Sequence, residues 1–115
     1  MKKIEFMTLP KYGDKVVKTI DENYILLSYY LSDRRDIKSI DIALEDLLLI
    51  KNEEKTFEEI WENEIVPISV SAGEFECDKD TAYFISDNPD AEPSIEMPLQ
   101  ELIDLLEEWK AFLSS

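Results

Sequence analysis

Carboxylates are the chemically active groups that this sequence offers in quantity. Glu53, Glu54, Glu58, Glu59, Glu62 and Glu64 place six of them within twelve residues, with Lys55 the one base among them. Such groups can act as general acid or base, hold a hard cation, or present a field to a cationic partner. At helical spacing each like-charged pair costs up to about 0.5 kcal/mol, a penalty that a partner's positive charge can offset. The competing reading is a solvated helix face that does nothing further. Asp78 and Asp80 have the spacing that opens an EF-hand loop, but Ala82 stands at the third ligand position and Tyr83 where the loop requires Gly. Turn-forming Asx chemistry accounts for Asp87, Asn88, Asp90 and Glu92 more simply than a cation does, so no metal or cofactor is expected.

Other catalytic equipment is sparse. The sequence has no His and a single cysteine, Cys77, which removes the commonest general base and any multi-cysteine zinc site. Cys77 has acidic neighbours that disfavour its thiolate, so it reads as a buried structural thiol. No G-x-G-x-x-G, G-x-x-x-x-G-K-[ST], G-x-S-x-G or H-E-x-x-H motif is present. A non-enzymatic role is expected.

The overall balance points the same way. Twenty-seven Asp and Glu stand against twelve Lys and Arg, a formal net charge of −15. Residues 1–38 carry eight bases and six acids, so the remaining 77 residues hold −17. That exceeds the magnitude of about 2 to 8 that solubility asks of a small domain. A field of this sign repels phosphate backbones and anionic lipid, which argues against nucleic-acid and membrane partners and for a basic protein partner. The opening Met1-Lys2-Lys3-Ile4-Glu5-Phe6 is interrupted by charge and Pro10 before a signal-type apolar run can form. The longest largely apolar stretch, Tyr24 to Leu31, is eight residues against the ~20 of a membrane span. A soluble, cytoplasmic protein with a reduced cysteine is expected.

One domain, residues 1–115, must position these groups: hydrophobic residues make up 44% of the chain and no linker or repeat divides it. Strands are predicted over 2–7 from the alternation of Ile4 and Phe6 with Lys3 and Glu5, over 15–20, and over 23–31, whose apolar residues on both faces suggest the middle of a sheet. Adjacent Tyr29 and Tyr30 would then face opposite sides. From Asp36, Ile37, Ile40, Ala43, Leu44, Leu47 and Leu48 recur at helical spacing over 36–51, although 40–44 also fits a strand. Thr56-Phe57-Glu58-Glu59 has the form of a capping box before a helix over 57–63, turning Phe57, Ile60 and Trp61 inward and Glu58, Glu59 and Glu62 outward. Extended segments follow at 67–71, 73–77, 81–86 and around Ile95, with Asp78-Lys79-Asp80 as a turn. Leu99, Leu102, Ile103, Leu106, Trp109 and Leu113 trace the apolar stripe of an amphipathic helix over 98–113, with Leu102, Leu106 and Trp109 expected against the sheet and both tryptophans in the core. The expected class is α+β, a mainly antiparallel sheet on two or three helices.

Gly73-Glu-Phe-Glu-Cys-Asp-Lys-Asp-Thr-Ala-Tyr-Phe-Ile85, followed by Met97-Pro-Leu-Gln-Glu-Leu-Ile-Asp-Leu-Leu-Glu-Glu-Trp-Lys-Ala-Phe-Leu113, resembles the small acidic immunity proteins encoded beside bacterial polymorphic or contact-dependent toxins. The resemblance covers about residues 66–113 and lies in style rather than in a defining motif. It implies a stoichiometric inhibitor that binds a cognate toxin domain, frequently a basic nuclease; no contact residue carries over from it. Charge placement makes Glu53, Glu54, Glu58, Glu59 and Glu62, with Asp78 and Asp80, the candidate partner-binding surface. The rival is an adaptor or accessory domain whose acidity serves only solubility. Neighbouring genes would separate the two, an adjacent large toxin gene favouring immunity.

Overall fold

The computed structural model describes residues 2–60, 67–68 and 72–115. Strand β1 (Ile4–Thr8) pairs antiparallel with β2 (Lys15–Thr19), from Ile4 opposite Thr19 to Thr8 opposite Lys15. Gly13, at φ +73, reverses the chain between them, a left-handed conformation that favours glycine. This pair forms a separate two-stranded sheet, whereas the sequence suggested that 2–7 joins the main one.

The segment 23–31 corrects the expected mid-sheet strand. A 3-10 turn over Glu22–Tyr24, opened by Asp21 accepting from the Asn23 amide, leads into helix α1 (Ile25–Ser32). Leu26, Leu27, Tyr30 and Leu31 are all fully buried. A short helix enclosed on nearly every side produces the same unbroken apolar run as a central strand, and periodicity cannot separate the two. Tyr29 and Tyr30 consequently do not face opposite sides of a sheet: Tyr30 is enclosed and Tyr29 is half-buried.

Helix α2 (Ile37–Lys51) starts at Asp36, whose carboxylate accepts from the Ser39 amide at 2.8 Å, a contact that holds its carboxyl below the ordinary range. Ile40, Ala43, Leu44 and Leu47 are buried while Ile42 is exposed, so 40–44 is helix and not strand. A single turn, α3 (Phe57–Ile60), follows. The capping box ahead of it is half formed: Glu59 Oε1 accepts from the Thr56 amide at 3.0 Å, but the Thr56 hydroxyl donates to the same oxygen instead of accepting from the Glu59 amide. That amide bonds the Thr56 carbonyl. Trp61, Glu62 and Glu64, and the remainder of the helix expected to 63, lie outside the described residues.

The second sheet has the order β3 (Pro67–Ile68), β4 (Gly73–Cys77), β5 (Thr81–Ser86), β6 (Ile95–Pro98), all antiparallel. Of the extended segment expected at 67–71, residues 69–71 lie outside the described set. Phe75 opposite Phe84 and Ala82 opposite Met97 put the buried side chains on one face. Gly73 lies so close to β5 that a Cβ there would fall 2.0 Å from the Ile85 carbonyl oxygen, so no side chain fits.

Pro98 ends β6 and helix α4 (Leu99–Ser114) begins directly after it. Leu102, Ile103, Leu106 and Trp109 are buried in one core with α1, α2 and the inner face of the sheet. Trp109 meets the first hairpin: its ring lies 5.0 Å from Phe6 of β1, and its Nε1 donates to the Arg34 carbonyl at 2.8 Å. Arg34 is buried too, stacked 3.7 Å over the Tyr30 ring and donating to the Tyr30 carbonyl. The molecule is a single α+β domain, and no described helix is long and apolar enough to cross a membrane.

Candidate functional site

Three separate pieces of chain deliver the predicted acidic residues. Helix α2 ends with the Glu53 amide on the Ile50 carbonyl and the Glu54 amide on the Leu49 carbonyl, the paired bonds of a Schellman motif. Glu53 occupies the left-handed position of that motif, at φ 59, where glycine is the usual residue. Glu58 comes from the first turn of α3. Asp78 comes from the β4–β5 turn, where its Oδ1 accepts the Asp80 and Thr81 amides at 2.8 and 2.7 Å. Those two amides, with the Tyr83 hydroxyl donating to Oδ2 at 3.3 Å, hold the Asp78 carboxyl below the ordinary range.

Glu53, Glu58 and Asp78 meet around an open recess of about 400 Å³, with Lys55, Thr56 and Lys79 on the same lining and Ile50, Phe57 and Cys77 supplying its apolar part. Lys79 reaches Glu53 at 3.4 Å, an exposed pair that contributes little. The Cys77 thiol is pushed up to about 12, by burial first and then by Asp78, Glu76 and Glu58, and so stays un-ionised. Glu54, Glu59 and Asp80 are exposed and do not line the recess, and the Glu59 carboxylate is engaged in its cap. Glu62 lies outside the described residues. Carboxylates over an apolar and aromatic lining suit a cationic side chain, whose stem packs while its head pairs.

A larger recess of about 550 Å³ lies between β1 and α4, lined by Phe6, Leu105 and Phe112. Lys3 pairs there with Glu101 at 2.8 Å and Lys2 with Glu5 at 3.7 Å, and Glu108 is a further carboxylate on its lining. The smaller recess is the one that gathers carboxylates singled out from the sequence.

The sequence reading missed a second acidic surface, the outer face of the large sheet. Register sets Glu76 beside Tyr83 and Tyr83 beside Glu96, with Glu74 beside Ile85 in the next row. The signal was available in the alternation of Gly73-Glu-Phe-Glu-Cys77, which sends Glu74 and Glu76 outward together. What was missing was the register that places Tyr83 between Glu76 and Glu96 and sets Ile85 beside Glu74. Comparison with family models, with curated proteins and with solved structures returned no match.

Proposed function

We propose that this chain is a non-catalytic, protein-binding domain that neutralises a basic protein by direct contact, as an immunity protein does with a cognate toxin domain, a basic nuclease being the class that fits. One observation carries the reading. Glu53, Glu58 and Asp78, remote in sequence, converge on a recess whose apolar lining can desolvate a cationic side chain. The segment from Gly73 to Trp109, which supplies Asp78, holds one base, Lys79, against twelve acids. Such a field accelerates encounter with a cationic partner, while the recess supplies a place for an anchoring Lys or Arg. The proposed compartment is the cytoplasm, where a reduced, inert Cys77 is at home.

The test is stopped-flow association with a basic nuclease toxin domain, taken from beside this gene where one is encoded there. Glu53→Lys with Glu58→Lys should slow association at low salt by about tenfold or more and flatten its salt dependence, since both side chains are exposed. Association at the wild-type rate would remove the recess from the interface. Turnover of a substrate by the isolated chain would end the inhibitor reading.

A further inference from the structure

On the outer face of β4–β5–β6 apolar side chains stand among carboxylates. Ile85 is 44% exposed, and Tyr83 beside it is only partly covered. Glu74, Glu76 and Glu96 flank them on the neighbouring strands. Strands in a sheet lie about 4.8 Å apart, so Glu74 beside Ile85, and Glu76 and Glu96 on either side of Tyr83, each lie one strand from an apolar side chain. None of the three strands contains a Lys or Arg. The core does not require this face to be apolar, because the inner face is already filled by Phe75, Phe84, Ala82 and Met97.

We infer that this face is a docking platform for an extended partner segment that carries Lys or Arg around one aliphatic side chain: the cations pair with Glu74, Glu76 and Glu96, and the aliphatic group packs on Ile85 and Tyr83. The inference rests on the protein-binding reading above and adds the anchors from which specificity would come. Charge complementarity selects the occupant, since an anionic or wholly apolar segment would leave three carboxylates unmatched or desolvated. Continuity supports it as well. Tyr83 donates to Asp78, and Asp78 lines the recess, so platform and recess form one surface and not two competing ones.

The experiment titrates the ¹⁵N-labelled full chain at low salt with two synthetic peptides, acetyl-Lys-Arg-Leu-Arg-Lys-amide and the same peptide with Gly for Leu. The Leu peptide should bind about fivefold more tightly, as partial burial of one aliphatic side chain implies, and should shift amides centred on Tyr83 and Ile85. Ile85→Ser with Tyr83→Ser should erase that preference and leave the affinity for the Gly peptide unchanged. If the double variant loses its native spectrum, Ile85→Thr alone, a β-former at an exposed position, takes its place. Equal affinities for the two peptides, a preference that survives the substitution, shifts centred elsewhere, or no binding of either peptide would each overturn the platform. None of these outcomes touches the toxin-association measurement with Glu53→Lys and Glu58→Lys, so failure of the platform and failure of the inhibitor reading are told apart.

Discussion

Cys77 is the residue whose chemistry the fold changes most. In the unfolded chain its thiol ionises at an ordinary value near 9, whereas in the folded domain burial and the carboxylates of Asp78, Glu76 and Glu58 push it up to about 12. Raising the pH therefore favours the thiolate in the unfolded chain long before it does so in the folded one. At pH 8 the folded protein should react with a disulfide reagent such as dithionitrobenzoate at least about a hundredfold more slowly than the same protein in guanidinium, because the thiolate is the reacting form. Equal rates would place Cys77 outside the buried, carboxylate-flanked position assigned to it. This inertness was legible in the sequence, since Phe75 and Cys77 alternate with Glu74 and Glu76 and no His stands anywhere to activate a thiol. The conversion of Asp78 from a free surface charge into a turn acceptor was less so, because it depends on which amides the β4–β5 turn brings to its carboxylate.

At the scale of elements, the end of α2 holds a residue poorly suited to its backbone. A non-glycine residue in the left-handed region costs about 1 kcal/mol, and Glu53 sits there with its Schellman bonds intact. Glu53→Gly should raise stability in urea denaturation by about 0.5–1 kcal/mol, the loss of an exposed ion pair to Lys79 offsetting little. A destabilised variant would mean that the Glu53 side chain contributes more to the fold than its exposure indicates. Local chemistry of this kind explains which elements could be read from sequence. α2 and α4 have one wet face and one dry face, so their spacing was diagnostic. β4 and β5 alternate, and so were they. α1 is dry almost all round, and a dry segment of eight residues carries no period to read; reading it as a strand also put 2–7 in the main sheet, whereas β1 pairs with β2 alone. The candidate site was half legible for a related reason. Glu53, Glu58 and Asp78 were named from charge density, which is a property of the chain, whereas Tyr83, Ile85 and Glu96 join the surface only through pairing across strands.

For the whole molecule, a net charge of −15 on 115 residues sets a term that opposes every compact arrangement of the chain. Added salt screens that self-repulsion over about 10 Å at 0.1 M, and the few exposed ion pairs, Lys110 with Asp41 among them, lose little by comparison. The melting temperature should therefore rise between 10 mM and 500 mM sodium chloride; a fall would show that internal ion pairs outweigh the repulsion. The same salt should slow binding of a cationic partner, so stability and association should respond in opposite directions. The contacts of β1 with α4, Phe6 on Trp109 and Lys3 on Glu101, join residues about a hundred positions apart. A ribosome delivers one of these partners long before the other. The first hairpin must therefore wait, with Phe6 lacking its cover, until α4 has been made, and loop closure over that span is slow compared with helix formation. While it waits, the carboxylates accumulating downstream keep nascent copies apart, so the charge that opposes compaction also protects the chain before compaction is possible.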